Sequence, residues 1–77
     1  MSEAIFLVKL AQILEVSKED MTEQFKLDYG NWDSLTLVAT IAAIDEQFGV
    51  TVPIRQLTAC ASVRDLLELI RGRLAQS

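Results

Sequence analysis

A long, mostly polar interval, VSKEDMTEQFKLDYGNW at 16–32, separates two segments with helical apolar periodicity. It exceeds the usual connection between neighbouring helices of a bundle. Val16, Met21, Phe25 and Leu27 are the positions able to pin it to a core. Two helices packed side by side and running parallel would supply a reason for its length, because the chain must then return to its starting end.

The flanking segments are amphipathic. From Glu3 to Glu15, Phe6, Leu10, Ile13 and Leu14 recur at helical spacing with Leu7 beside them, and Lys9, Gln12 and Glu15 fall on the other side. A second helix is expected from Ser34 to Phe48, stopped by Gly49. VTVP at 50–53 reads as a short extended piece, and Ile54–Ala59 as one helical turn or a short helix. Ser62 opens the last helix with SVRD, a capping-box form in which Asp65 takes the N3 position. Val63, Leu66, Leu67, Ile70 and Leu74 then line one face. The fold class is all-α, with three substantial helices and one short one.

Placed at about 100° per residue, the second helix has two apolar faces. Leu37, Ile41, Ile44 and Phe48 form a core stripe. Leu35, Val38, Ala39 and Ala42 form another, ending at Asp45 and Glu46. A surface helix needs only one buried face. Either this helix is enclosed on all sides, which few residues remain to do, or the second stripe is a docking face steered by its acids.

Size and composition limit the chemistry. Seventy-seven residues suit one small domain, 1–77, with a thin core and little room for a deep catalytic cleft. There is no histidine, so Ser-His and Cys-His catalysis are excluded, and one cysteine, Cys60, allows neither an internal disulfide nor a zinc cluster. The chain is therefore expected to be no enzyme, with no catalytic or metal-binding residues. Residues 1–52 hold nine acids against three lysines, a net of −6, while 53–77 hold two acids against four arginines, a net of +2. The acidic body argues against nucleic acid and favours partners with basic docking surfaces. Arg71 and Arg73 suit a last helical turn, which favours cations. MSEAIFLVKLAQIL lacks the basic start of a signal peptide, and LTLVATIAAI falls short of the roughly 20 residues that span a bilayer. The expectation is a cytoplasmic monomer with no membrane insertion.

Asp33 is a strong N-cap residue, and Ser34 follows in the first helical turn. There a hydroxyl sits beside backbone N–H groups without intrahelical partners, well placed for a phosphate ester. With no histidine and only Asp33 beside it, Ser34 suits a substrate of another enzyme better than a nucleophile. By itself, Asp-Ser at a helix start is an ordinary cap.

The whole chain, however, resembles the acyl carrier proteins and related phosphopantetheine-carrying domains. DSL at 33–35 is similar to their attachment motif. DEQFGVTVP at 45–53, LEVSKEDM at 14–21 and SVRDLLELI at 62–70 stand where that family has its acidic pair with FG, the end of its first helix and the start of its last. The resemblance implies a four-helix bundle with a long first loop and a short third helix. It implies that Ser34, flanked by motif residues Asp33 and Leu35, carries 4′-phosphopantetheine installed from coenzyme A by a phosphopantetheinyl transferase. The thiol of that arm would hold acyl groups as thioesters for loading enzymes, acyltransferases and synthases. Those partners would read Leu35, Val38, Ala42, Asp45 and Glu46.

YGNWDSL departs from the usual fatty-acid carriers. Trp32 precedes the motif, Thr36 and Ala39 stand where acids often lie, and IRQLT in the short helix is basic. The pattern looks more like specialised stand-alone carriers. Trp32 would shield the arm, meet a partner or close the loop onto the core. Cys60 replaces a large aliphatic residue and reads as a small core side chain. An aminoacyl or peptidyl carrier, and an unmodified interaction or scaffold module, are the alternatives.

Overall fold

The computed structural model describes residues 3–28 and 30–76. It contains α1 (Glu3–Leu14), α2 (Ser34–Phe48), the short α3 (Ile54–Thr58) and α4 (Val63–Gln76), with a single 3-10 turn at Lys18–Asp20. The all-α class and the helix positions agree with the periodicity. No strand forms among the described residues beyond one isolated antiparallel bridge, Lys26 to Ser62.

α1 buries Phe6, Leu10, Ala11 and Leu14. Its end is shaped by Glu15, whose φ of 59° is left-handed. The Glu15 N–H donates to the Gln12 carbonyl at 3.2 Å and the Val16 N–H to the Ala11 carbonyl at 3.0 Å. This is a Schellman closure, made here without the glycine that usually occupies its left-handed position. Glu15→Gly should therefore raise stability by about 0.5–1 kcal/mol, the relief of the Cβ exceeding the extra freedom of the unfolded chain. A urea midpoint that stays put or falls would count against this.

α1 and α2 run antiparallel, not parallel as their connection suggested. Phe6, early in α1, packs edge-on against Phe48, the last residue of α2, with ring centroids 5.5 Å apart. Lys9 pairs with Glu46. Gln12 and Ile13 face Ala39 and Ala42 across a groove. The contacts advance along α1 while they retreat along α2. In α4, the Arg71 guanidinium donates to both carboxylate oxygens of Glu3, each at 2.8 Å. So α4 also opposes α1, and the parallel pair is α2 with α4. The return run that a parallel pair requires is therefore 49–62, which contains α3.

The first loop spends its length closing one end of the bundle. Met21, Leu27 and Trp32 are buried there, and Val16 and Phe25 pack against the core. The carbonyls of Phe25 and Glu23 accept the N–H groups of Val63 and Arg64, both at 3.0 Å. Those donors open α4 and have no partner within the helix. The Leu27 N–H donates to the Ala61 carbonyl at 3.0 Å. Ser62 Oγ accepts the Asp65 N–H at 3.4 Å, and Asp65 reaches back to the Ala61 N–H at 3.0 Å, one residue earlier than in a standard capping box.

α2 turns Leu37, Thr40, Ala43, Ile44 and Phe48 inward. Ile41, expected on that stripe, is only half-buried, and Thr40 is fully enclosed. The Thr40 hydroxyl donates to the Thr36 carbonyl at 2.7 Å, so its burial leaves no polar atom unpaired. From α4, Val63, Leu66, Leu67 and Ile70 complete the core, with Leu74 packed against it. Arg73 lies in the last turn as expected and donates to the Thr51 carbonyl at 2.7 Å. Arg71 is not a helix-end cation, because the helix continues to Gln76 and Glu3 engages it. Among the described residues no helix is long and apolar enough to cross a membrane.

Candidate functional site

Ser34 is the first residue of α2, and the backbone on both sides of it is tied down. Asp33 is the N-cap in extended conformation (φ −100°, ψ −179°). Its carboxylate accepts the Thr36 N–H at 2.9 Å, and its own N–H donates to Thr36 Oγ1 at 2.9 Å. This is a reciprocal capping box with threonine in place of Glu or Gln. The Thr36 N–H bond holds the Asp33 carboxyl below its ordinary pKa, so it is ionised at neutral pH beside the positive end of the helix.

The approach to Asp33 is equally constrained. The carbonyl of Asp28 accepts N–H bonds from Asn31 (3.1 Å) and Trp32 (2.7 Å). The Asp28 side chain accepts the Gly30 N–H at 2.9 Å, and the Asn31 amide donates to the Lys26 carbonyl at 3.1 Å. The Trp32 indole is 8% exposed and donates to the Leu57 carbonyl in α3 at 2.8 Å. Of the roles open to Trp32, closing the loop onto the core is the one it fills.

Against this background the Ser34 hydroxyl is exposed and makes no hydrogen bond to any described residue. Leu35 beside it is 79% exposed, and Val38, one turn on, 57%. Ala42, Asp45 and Glu46 are exposed further along the same helix. The residues singled out from the sequence thus share one open side of α2. Of the two readings of its second stripe, enclosure on all sides is excluded. Ala39 is the partial exception: it lines a groove of about 430 Å³ with Lys9, Gln12, Ile13, Ala42, Ala43 and Glu46.

Two participants escaped the sequence reading. Thr36 figured only as a missing acid, although a side-chain oxygen three residues after an N-cap is the signal for a reciprocal cap. Lys9, placed on the outer side of α1, spans the groove to Glu46. No sequence signal links positions 37 residues apart.

A cleft of about 320 Å³ lies between the first loop and the α3–α4 turn, lined by Leu27, Asp28, Trp32, Thr58, Ala59, Cys60 and Ala61. Cys60 is buried, and its Sγ lies 3.5 Å from the Gln56 carbonyl. Burial, and then the Asp65 charge, push the thiol up to about 11, so it stays protonated at neutral pH. It is the small core residue expected.

Residues 5–70 match the family described as the phosphopantetheine attachment site. The chain belongs to that family. Its domains are non-catalytic carriers in which 4′-phosphopantetheine is attached covalently to a serine. The four-helix arrangement described above is that of an acyl-carrier bundle. No solved structure matches the chain. Three serines of this phosphopantetheine-attachment domain fall within the matched residues: Ser17, Ser34 and Ser62. The hydroxyl of Ser17 donates to the Glu19 carboxylate, and that of Ser62 caps α4.

Proposed function

We propose that Ser34 is the attachment serine, and that residues 1–77 act as one carrier domain presenting thioester-linked acyl intermediates to partner enzymes. One observation carries the choice of serine. Ser34 alone of the three has a hydroxyl that is exposed and unengaged, at a helix start where backbone N–H groups favour a phosphate ester. The domain itself performs no chemistry in this reading. It delivers its cargo by tethering, which raises effective concentration at each partner's active site. The test is the intact mass after incubation with coenzyme A and a broad-specificity phosphopantetheinyl transferase, with the adduct mapped to a peptide. One adduct on the Ser34 peptide is expected. A well-folded protein left unmodified, while a control carrier is modified, would favour a scaffold role instead.

Leu35, Val38, Ala42, Asp45 and Glu46 form the proposed partner face. Asp45 and Glu46 are the only acids on α2, and Lys9 already engages Glu46. Asp45 makes no ion pair with any described residue. Electrostatic steering of a basic partner is correspondingly weak. This supports service in a specialised pathway rather than in general fatty-acid elongation. Offered to a standard malonyl-transfer and elongation system, the arm-bearing protein should turn over about 10-fold or more slower than a housekeeping carrier. Equal rates would refute the specialised reading.

A further inference from the structure

Thr36 is bonded more densely than a cap requires. Its N–H reaches Asp33 Oδ1, and its Oγ1 accepts the Asp33 N–H, both at 2.9 Å. The same hydroxyl lies 3.1 Å from the Asn31 carbonyl, 3.0 Å from the Asp33 carbonyl and 3.2 Å from Asp33 Oδ1, any one of which can take its single proton. One side chain thus joins the last loop residues to the first turn of α2, on both sides of Ser34. The Trp32 indole fixes the same stretch from below, through Leu57. Ser34 sits between these restraints and contributes to none of them.

We infer that Thr36 is a positioning residue for modification of Ser34, holding 31–34 in the conformation that the arm-transferring enzyme accepts. The inference rests on the Ser34 reading. A free segment would have to be ordered during docking, and that cost would weaken productive binding. A preformed segment avoids it. Thr36 makes no hydrogen bond to the Ser34 hydroxyl, so its loss should appear in the affinity of the transferase for the carrier and not in the transfer step itself.

The experiment compares transfer kinetics with coenzyme A as donor, carrier concentration varied and intact mass as readout. For Thr36→Val the KM for the carrier should rise about 5- to 10-fold, with kcat within about twofold of wild type. Thr36→Ser restores the hydroxyl and should restore the wild-type KM. Ser62→Ala removes a cap from α4 instead and should leave KM unchanged although it lowers stability, which separates positioning from general loosening. All variants are checked for wild-type helicity at the assay temperature.

A wild-type KM in Thr36→Val overturns the inference while leaving Ser34 as the modified residue. So does an equal rise in KM in Ser62→Ala, which makes the effect one of stability alone. A drop confined to kcat also overturns it. No adduct on the wild type overturns the Ser34 reading and this inference together.

Discussion

Ser34→Ala should take up no phosphopantetheine and yet unfold within about 0.5 kcal/mol of the wild type. The two halves of this expectation come from the same geometry. The hydroxyl bonds to no described residue and lies in solvent, so its removal strands no buried partner. Alanine at the first helical position costs nothing in propensity. The cap belongs to Asp33 and Thr36, and Asp33→Ala should cost about 1 kcal/mol where Ser34→Ala costs almost none. Intact mass and urea unfolding, run on the same preparations, read out both halves. Loss of a kilocalorie or more in Ser34→Ala would make that serine a structural part of the cap. An adduct persisting on the variant would move the arm to another serine, and peptide mapping would show whether Ser17 or Ser62 holds it.

The second large effect is expected at Trp32. Its ring is buried at the closed end of the bundle, lines the cleft beside Cys60 and bonds to α3. Trp32→Ala should cost about 3–5 kcal/mol through the cavity it leaves. A domain of this length is stable by only on the order of 4–11 kcal/mol, so the variant should be partly unfolded at physiological temperature. Trp32→Phe keeps most of the apolar area and loses the indole N–H bond. Because the Leu57 carbonyl also accepts the Cys60 N–H at 3.0 Å, that loss should be near 1 kcal/mol or a little more. Circular dichroism against urea measures both. The wild type carries one tryptophan, so its fluorescence reports the opening of this end directly. If Trp32→Ala unfolded within 1 kcal/mol of wild type, the ring would be dispensable to the loop, and a role towards arm or partner would regain weight.

The candidate site was largely legible in the chain because its signals are local. Asp33 before Ser34, Gly49 after Phe48 and the apolar spacing between them depend only on neighbours within a few residues. The open side of α2 was legible too, since Leu35, Val38 and Ala42 share a stripe that a thin core cannot cover. The stripe's rotation was not. A 100° spacing defines faces but does not say which of two adjacent columns meets the core. Thr40 went inside and Ile41 to the edge, and the Thr40 hydroxyl tolerates that burial because it donates to the Thr36 carbonyl.

Read alone, the chain already contained the helices, the N-caps at Asp33 and Ser62, the stop at Gly49, the exclusion of histidine-based catalysis and the family resemblance that a match over residues 5–70 supports. Each follows from residue type and short-range order. The direction of α1 against α2, the use of the long first loop as an end closure, and the pairing of Lys9 with Glu46 and of Arg71 with Glu3 came only with the folded arrangement. These turn on which distant donors, backbone and side-chain alike, find acceptors. Once the carbonyls of Glu23 and Phe25 satisfy the first N–H groups of α4, the loop is held at that end of the bundle, and α2 can start only where the loop finishes.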